Sequence, residues 1–119
     1  MYKKLLLLIS LLPSYAYAET LVCEFSSYHS QSESSLQTTT EFALTFRYDL
    51  ITSEAFLEGN NGISSVLLVN GYEGLTFLEI LPTGSVQSTT VHMNGAAVHS
   101  RHSIILGDLV PSQYYGFCR

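Results

Sequence analysis

A chain of 119 residues has room for one hydrophobic core and not for two ordinary domains. Five basic residues stand against ten acidic ones; two of the five are Lys3 and Lys4, so from residue 19 onward three arginines face ten acids, a formal charge of −7. Such a balance repels phosphate backbones and anionic lipid and provides no basic stripe, so nucleic acid and charged membrane surfaces are not expected partners.

The chain opens with Lys3 and Lys4, an apolar run over residues 5–12, and Ala16-Tyr17-Ala18. A short positive segment, an apolar stretch and a small-x-small site together read as a signal peptide, cleaved after Ala18. A membrane-spanning helix needs about 20 apolar residues, and Ser10 and Pro13 interrupt this run well before that. No membrane anchor is therefore expected after cleavage. Cys23 lies too far past Ala18 to take a lipid. The expected organisation is a signal segment, residues 1–18, and a single β domain, residues 19–119, exported to the periplasm or the exterior. Two cysteines in an oxidising compartment have one possible pairing, Cys23 with Cys118.

No stretch of the domain carries a helical stripe; short runs rich in Val, Ile, Thr, Tyr and Phe alternate with Gly, Asn, Ser and Pro, an all-β pattern. A first strand covers residues 20–26. Residues 27–40, with five serines and three threonines, read as a long surface loop. Phe42, Leu44, Phe46 and Tyr48 then alternate with Ala43, Thr45 and Arg47, the pattern of a strand with one wet face. Further strands are expected at residues 54–58, 63–69, 75–81, 86–92, 97–105 and 109–118, separated by turns such as Gly59-Asn60-Asn61-Gly62 and Asn70-Gly71. Seven or eight strands joined by short turns imply an antiparallel meander, and a bond between the first and last strands favours a closed barrel over a sandwich.

Asn94-Gly95 is the strongest hairpin signal, because it fits the mirror-image turn whose twist matches that of strands. As a two-residue loop it sets Thr90 opposite His99, Ser88 opposite Arg101 and Gln87 opposite His102. Alternation then gives His92, Thr90, Ser88, His99 and Arg101 one face, and Val91, Val98, Ile104, Gln87 and His102 the other. The second face has the larger aliphatics and is expected inside, which buries His102 beside Gln87 and leaves His99 and Arg101 as an outer patch for an anionic group. Glu79, on the side of Leu75, Phe77 and Leu81, is expected to point inward within reach of Arg101 or His102. Tyr114 and Tyr115, with Gln113 and Phe117, form a candidate rim, since tyrosine combines contact area with a polar tip.

Catalytic signatures are sparse. No serine stands in a Gly-x-Ser-x-Gly elbow. His99 and Ser100 are strand neighbours and so point to opposite faces, and both cysteines are committed to the disulfide. His92 and His99 on one face give two imidazoles without an identifiable third ligand, so neither metal nor cofactor is expected.

The segments Gly84-Ser85-Val86-Gln87-Ser88-Thr89-Thr90-Val91, Val98-His99-Ser100-Arg101-His102 and Pro111-Ser112-Gln113-Tyr114-Tyr115-Gly116-Phe117-Cys118 resemble a group of small exported bacterial proteins of unknown function. That resemblance implies export and no particular activity. The periplasmic C-type lysozyme inhibitors are similar in size, compartment and single disulfide, but this chain lacks their Ser-Gly-x-x-Tyr loop and has no tryptophan. The leading expectation is a non-catalytic binding module for a protein, glycan or small molecule, using His99, Arg101, His102, Tyr114 and Tyr115. The alternative is a metal-dependent or hydrolytic enzyme centred on the histidine hairpin.

Overall fold

The computed structural model describes residues 18–31, 33–60 and 62–119, without the side chains of residues 33, 34, 40 and 41. Of the expected signal segment, only Ala18 falls within this range.

Eight antiparallel strands form the fold: β1 (Ala18–Ser30), β2 (Glu33–Asp49), β3 (Glu54–Gly59), β4 (Gly62–Asn70), β5 (Gly74–Ile80), β6 (Val86–His92), β7 (Ala96–Ile105) and β8 (Asp108–Cys118). Each pairs with the next in sequence, and β8 returns to pair with β1, closing a barrel. The all-β meander is thus observed in its barrel form.

Alternation along the strands decides what fills the interior. Phe25 and Cys23 of β1, Leu44 and Phe46 of β2, Ala55 and Leu57 of β3, Val66, Phe77, Val91, Ala97 and Cys118 are all buried. Phe46 and Phe77 stack at 4.2 Å between ring centres, and burying each ring contributes about 2 to 3 kcal/mol. Outside, the same strands carry their charges: Arg47 holds Glu58 at 2.6 Å across the β2–β3 pair.

Closure occurs at the β1–β8 seam. Val22 and Arg119 exchange backbone hydrogen bonds of 2.8 and 2.9 Å, so the next pair, Cys23 opposite Cys118, occupies the close, non-hydrogen-bonded position where side chains approach each other most nearly. The disulfide forms there, joining residues 95 positions apart. Two pairs further along, Gly116 faces Phe25, and a Cβ on Gly116 would collide with the Glu24 carbonyl oxygen. A bulge between Phe25 and Ser27 follows at once; bulges of this kind add twist and help a sheet curve shut.

The structure departs from the sequence-based expectation in two places. Of the expected surface loop, residues 27–40, Ser32 lies outside the described residues, and residues 27–30 and 33–40 are strand: β1 and β2 stay paired out to Ser30 opposite Glu33, and β8 pairs with the same part of β1 through Tyr28 opposite Tyr114 and Ser30 opposite Ser112. Threonine and serine are compatible with a strand. What the segment lacks is the apolar period, because it runs past the end of the core. The second departure concerns the β6–β7 turn, which has three residues, Met93, Asn94 and Gly95, and not two. Gly95 N–H donates to the His92 carbonyl at 2.8 Å, Gly95 has φ of 98°, and the Asn94 side chain accepts from Ala96 N–H at 2.9 Å. This is a type I turn followed by a left-handed glycine. It sets Val91 opposite Ala97 and Thr89 opposite His99. One residue of slip turns all of β7 over: His99 and Arg101 face inward, while Val98 and His102 face outward.

The β7–β8 hairpin is closed by Leu106 and Gly107, with φ of 51° and 84°, and Leu106 is 98% exposed. A leucine in the left-handed region carries a steric penalty of about 1 to 2 kcal/mol, and no packing here offsets it. Leu106→Asn is expected to raise stability by roughly 1 kcal/mol, measurable as a higher urea midpoint; an unchanged or lower midpoint would contradict the turn conformation. Reducing the disulfide releases a ring enclosing almost the whole domain and is expected to remove about 4 to 5 kcal/mol. Equal urea midpoints with and without reductant would show that the seam does not depend on the bond.

Candidate functional site

The two ends of the barrel differ. At the disulfide end the β2–β3, β4–β5 and β6–β7 turns surround a mainly apolar recess of about 360 Å³ beside Leu21, Leu75 and Val91. At the other end, β3 last meets β2 at Glu58 opposite Thr45, and β6 last meets β7 at Gln87 opposite Arg101. Beyond these points β2, β1, β8 and β7 continue alone; four further β7–β8 pairs run to Ile105 opposite Asp108, about 13 Å of strand. A four-stranded wall therefore overhangs this mouth, and the cavity beneath it, about 320 Å³, is lined by residues of β2 to β7 and the β3–β4 turn.

Arg101 organises the cavity. It lies opposite Gln87 on β6, and Gln87 lies opposite Glu79 on β5, so three long polar side chains line the cavity from three consecutive strands. The guanidinium carbon of Arg101 sits 4.6 Å from the centre of the Phe42 ring and 4.9 Å from that of Tyr114. Those two rings meet edge to face at 4.7 Å, and Tyr28 stacks on Tyr114 at 5.3 Å. The cation is thus held in an aromatic corner, an arrangement worth about 0.5 to 2 kcal/mol for each contact.

His99 sets the angle of that arginine. It is only 1% exposed, packed among Phe25, Phe42 and Tyr114. Arg101 Nε–H donates to His99 Nε2 at 3.2 Å. A guanidinium nitrogen can only donate, so Nε2 is the bare nitrogen and Nδ1 carries the proton, which it donates to Thr89 Oγ1 at 2.7 Å. Burial, reinforced by the Arg101 charge, pulls the His99 pKa down to about 4. The imidazole is therefore neutral at neutral pH, and both of its nitrogens are engaged.

The chain's other two arginines of the domain are paired outside, Arg47 with Glu58 and Arg119 with Glu24 at 2.7 Å. Among the described side chains Arg101 has no carboxylate partner; no ion pair joins it to Glu79, although both line the same cavity.

Of the five residues singled out by sequence, the structure brings three together: His99, Arg101 and Tyr114. The other two lie on the outer surface. His102 is exposed, reversing the expectation that it is buried, and Tyr115 belongs to a surface chain in which its hydroxyl donates to Gln113 Oε1 at 3.1 Å and contacts His29 Nδ1 at 3.1 Å. Gln113 in turn donates to Ser100 Oγ at 3.2 Å. His92, expected on the same face as His99, is exposed beside the far mouth, where its Nδ1 accepts Asn94 N–H at 3.1 Å. The two histidines do not converge, and among the described residues no three His, Cys, Asp or Glu side chains cluster as metal ligands. Sequence reading missed Phe42 and Thr89 as members of the site, having taken the first as core alone; a three-residue β6–β7 loop would have pointed to Thr89 at once.

No protein-family model, curated protein or solved structure matches this chain.

A histidine whose folded pKa lies below its unfolded value stabilises the fold above the unfolded value, near 6.5, and loses that contribution as pH falls through the folded one, about 4. Between pH 7 and pH 5, above most carboxylate titration, His99 alone is expected to cost roughly 2 kcal/mol of stability. Urea midpoints at these two pH values test this, with His99→Gln expected to flatten the dependence. A wild-type midpoint that does not fall by pH 5 would mean that folded His99 takes up its proton freely.

Proposed function

We propose that this protein is an exported, non-catalytic binding module that takes a small ligand with an anionic group in the overhung mouth of its barrel. One observation carries the reading: Arg101 is held in position by His99 and two aromatic rings and is left without a carboxylate partner among the described side chains in a cavity of about 320 Å³. A cation already ordered loses little freedom when an anion arrives, which favours binding. The cavity lies at the lower end of the size range of ligand pockets, and its lining is more polar than apolar, which suits a charged ligand.

Export rests on two supports, the signal-like segment with its Ala16-Tyr17-Ala18 site and the disulfide, a bond that persists in oxidising compartments. The enzyme reading finds less support in the geometry. His99 has no free lone pair to act as a base, since Nε2 accepts from Arg101 and Nδ1 donates to Thr89. Ser100 faces away from it and is bonded to Gln113.

Acetate serves as a minimal probe. Titrated into the 15N-labelled domain, it is expected to shift the Arg101 Nε–H and Gln87 side-chain resonances saturably, at millimolar concentration for so small a molecule, and Arg101→Gln is expected to abolish this while the remaining spectrum stays folded. Shifts spread evenly over the surface, or an identical response in Arg101→Gln, would overturn the proposal.

A further inference from the structure

The cavity holds an acid as well as a base. Glu79, Gln87 and Arg101 occupy adjacent strands in register and all line the one mouth. Strands lie about 4.8 Å apart, so the backbones of Glu79 and Arg101 stand about 10 Å from each other with Gln87 between them. Opposite charges facing into one recess ordinarily pair, yet here they do not. Arg101 is drawn to the other side, its Nε bonded to His99 and its guanidinium lodged against Phe42 and Tyr114. The result is a recess with a positive wall at β7, a negative wall at β5 and, on the strand between them, an amide, Gln87, that can both donate and accept. Leu44, Leu57 and Leu81 supply an apolar side to the same space.

Building on the binding reading above, we infer that this mouth recognises a zwitterion of the α-amino acid class, with its carboxylate on Arg101, its ammonium on Glu79 and an apolar side chain against Leu44, Leu57 and Leu81. A carboxylate suits the planar fork of a guanidinium, which binds it through two parallel hydrogen bonds. A purely anionic ligand would leave Glu79 repelling it from the opposite wall. A zwitterion satisfies both walls at once, and a cavity of about 320 Å³ has room for a single amino acid or a small dipeptide.

Three probes distinguish the charges: leucine, N-acetylleucine, which has no ammonium, and leucinamide, which has no carboxylate. In isothermal titration of the disulfide-bonded domain, leucine is expected to bind at least tenfold more tightly than either analogue. Glu79→Gln is expected to weaken leucine and, by removing the repulsion, to strengthen N-acetylleucine, so that the two bind alike; Arg101→Gln is expected to remove the advantage over leucinamide. If N-acetylleucine binds as well as leucine to the wild-type protein, the zwitterion inference is overturned and a carboxylate-binding mouth still stands. Leucine and acetate both failing to bind would overturn the inference together with the binding reading beneath it. Should Glu79→Gln not fold, the three-probe comparison on the wild-type protein decides the matter alone.

Discussion

Everything in this molecule depends on the meeting of β1 and β8. An eight-stranded meander left open would present two long edges, each a row of unpaired backbone groups available to other chains. Here the edges satisfy each other, and a disulfide links them at a directly opposed pair, Cys23 and Cys118. Gly116 lets the backbones come together where a side chain would strike the Glu24 carbonyl. Once the seam is closed, the inward side chains of eight strands share one interior, and the order of polar and apolar positions along each strand decides how that interior divides.

The division is longitudinal. Near the disulfide the interior is apolar, packed by Phe46, Phe77, Val91 and Ala97. Toward the other mouth the inward positions become Thr89, His99, Arg101, Gln87 and Glu79, which as isolated buried groups would each be costly. The first three are tolerated because they are connected, and Gln87 and Glu79 because they are only half-buried and line the open cavity. Thr89 and His99 are fully buried and bonded to each other, Arg101 completes the chain at the point where the cavity opens, and among the described side chains no buried polar atom lacks a partner. The network runs from apolar core to open mouth, so the group that emerges into the cavity is positioned by groups that do not.

Much of the fold was legible in the sequence because local rules operated without interference. The alternation of Phe42, Leu44, Phe46 and Tyr48 marks a strand wherever it occurs, and the turn sequences separated the strands at nearly the observed positions. Two cysteines left only one way to close the barrel. Legibility failed where side-chain pattern and backbone pairing part company. Residues 27–30 and 33–38 pair as strands without an apolar period because β1 and β2 partner each other, and β8 partners β1, beyond the core. In β7 the larger aliphatic residues lie outward and the small Ala97 inward, beside the disulfide, where space is short; taking bulk as a guide to the inside therefore inverted the strand. That inversion mattered for the site. Arg101 was identified as the residue of interest but placed on the wrong surface; of its real neighbours, Tyr114 stands on the next strand, whereas Phe42 comes from β2, far away in sequence, which only the closed barrel brings near.

The overhanging wall explains why this mouth, and not the other, can hold a charged side chain in order. Phe42, Tyr114 and Tyr28 belong to β2, β8 and β1 where these strands approach or pass the limit of the closed barrel, and their rings form a corner that a barrel trimmed at Thr45 and Gln87 would lack. In water an arginine on such a rim would sample many rotamers, losing about 2 kcal/mol of side-chain entropy on being ordered by a ligand. The aromatic corner and the Nε bond to neutral His99 meet that cost during folding. Extending four strands beyond the core adds little apolar burial to the domain; its physical consequence is a guanidinium fixed in place at the entrance to a cavity.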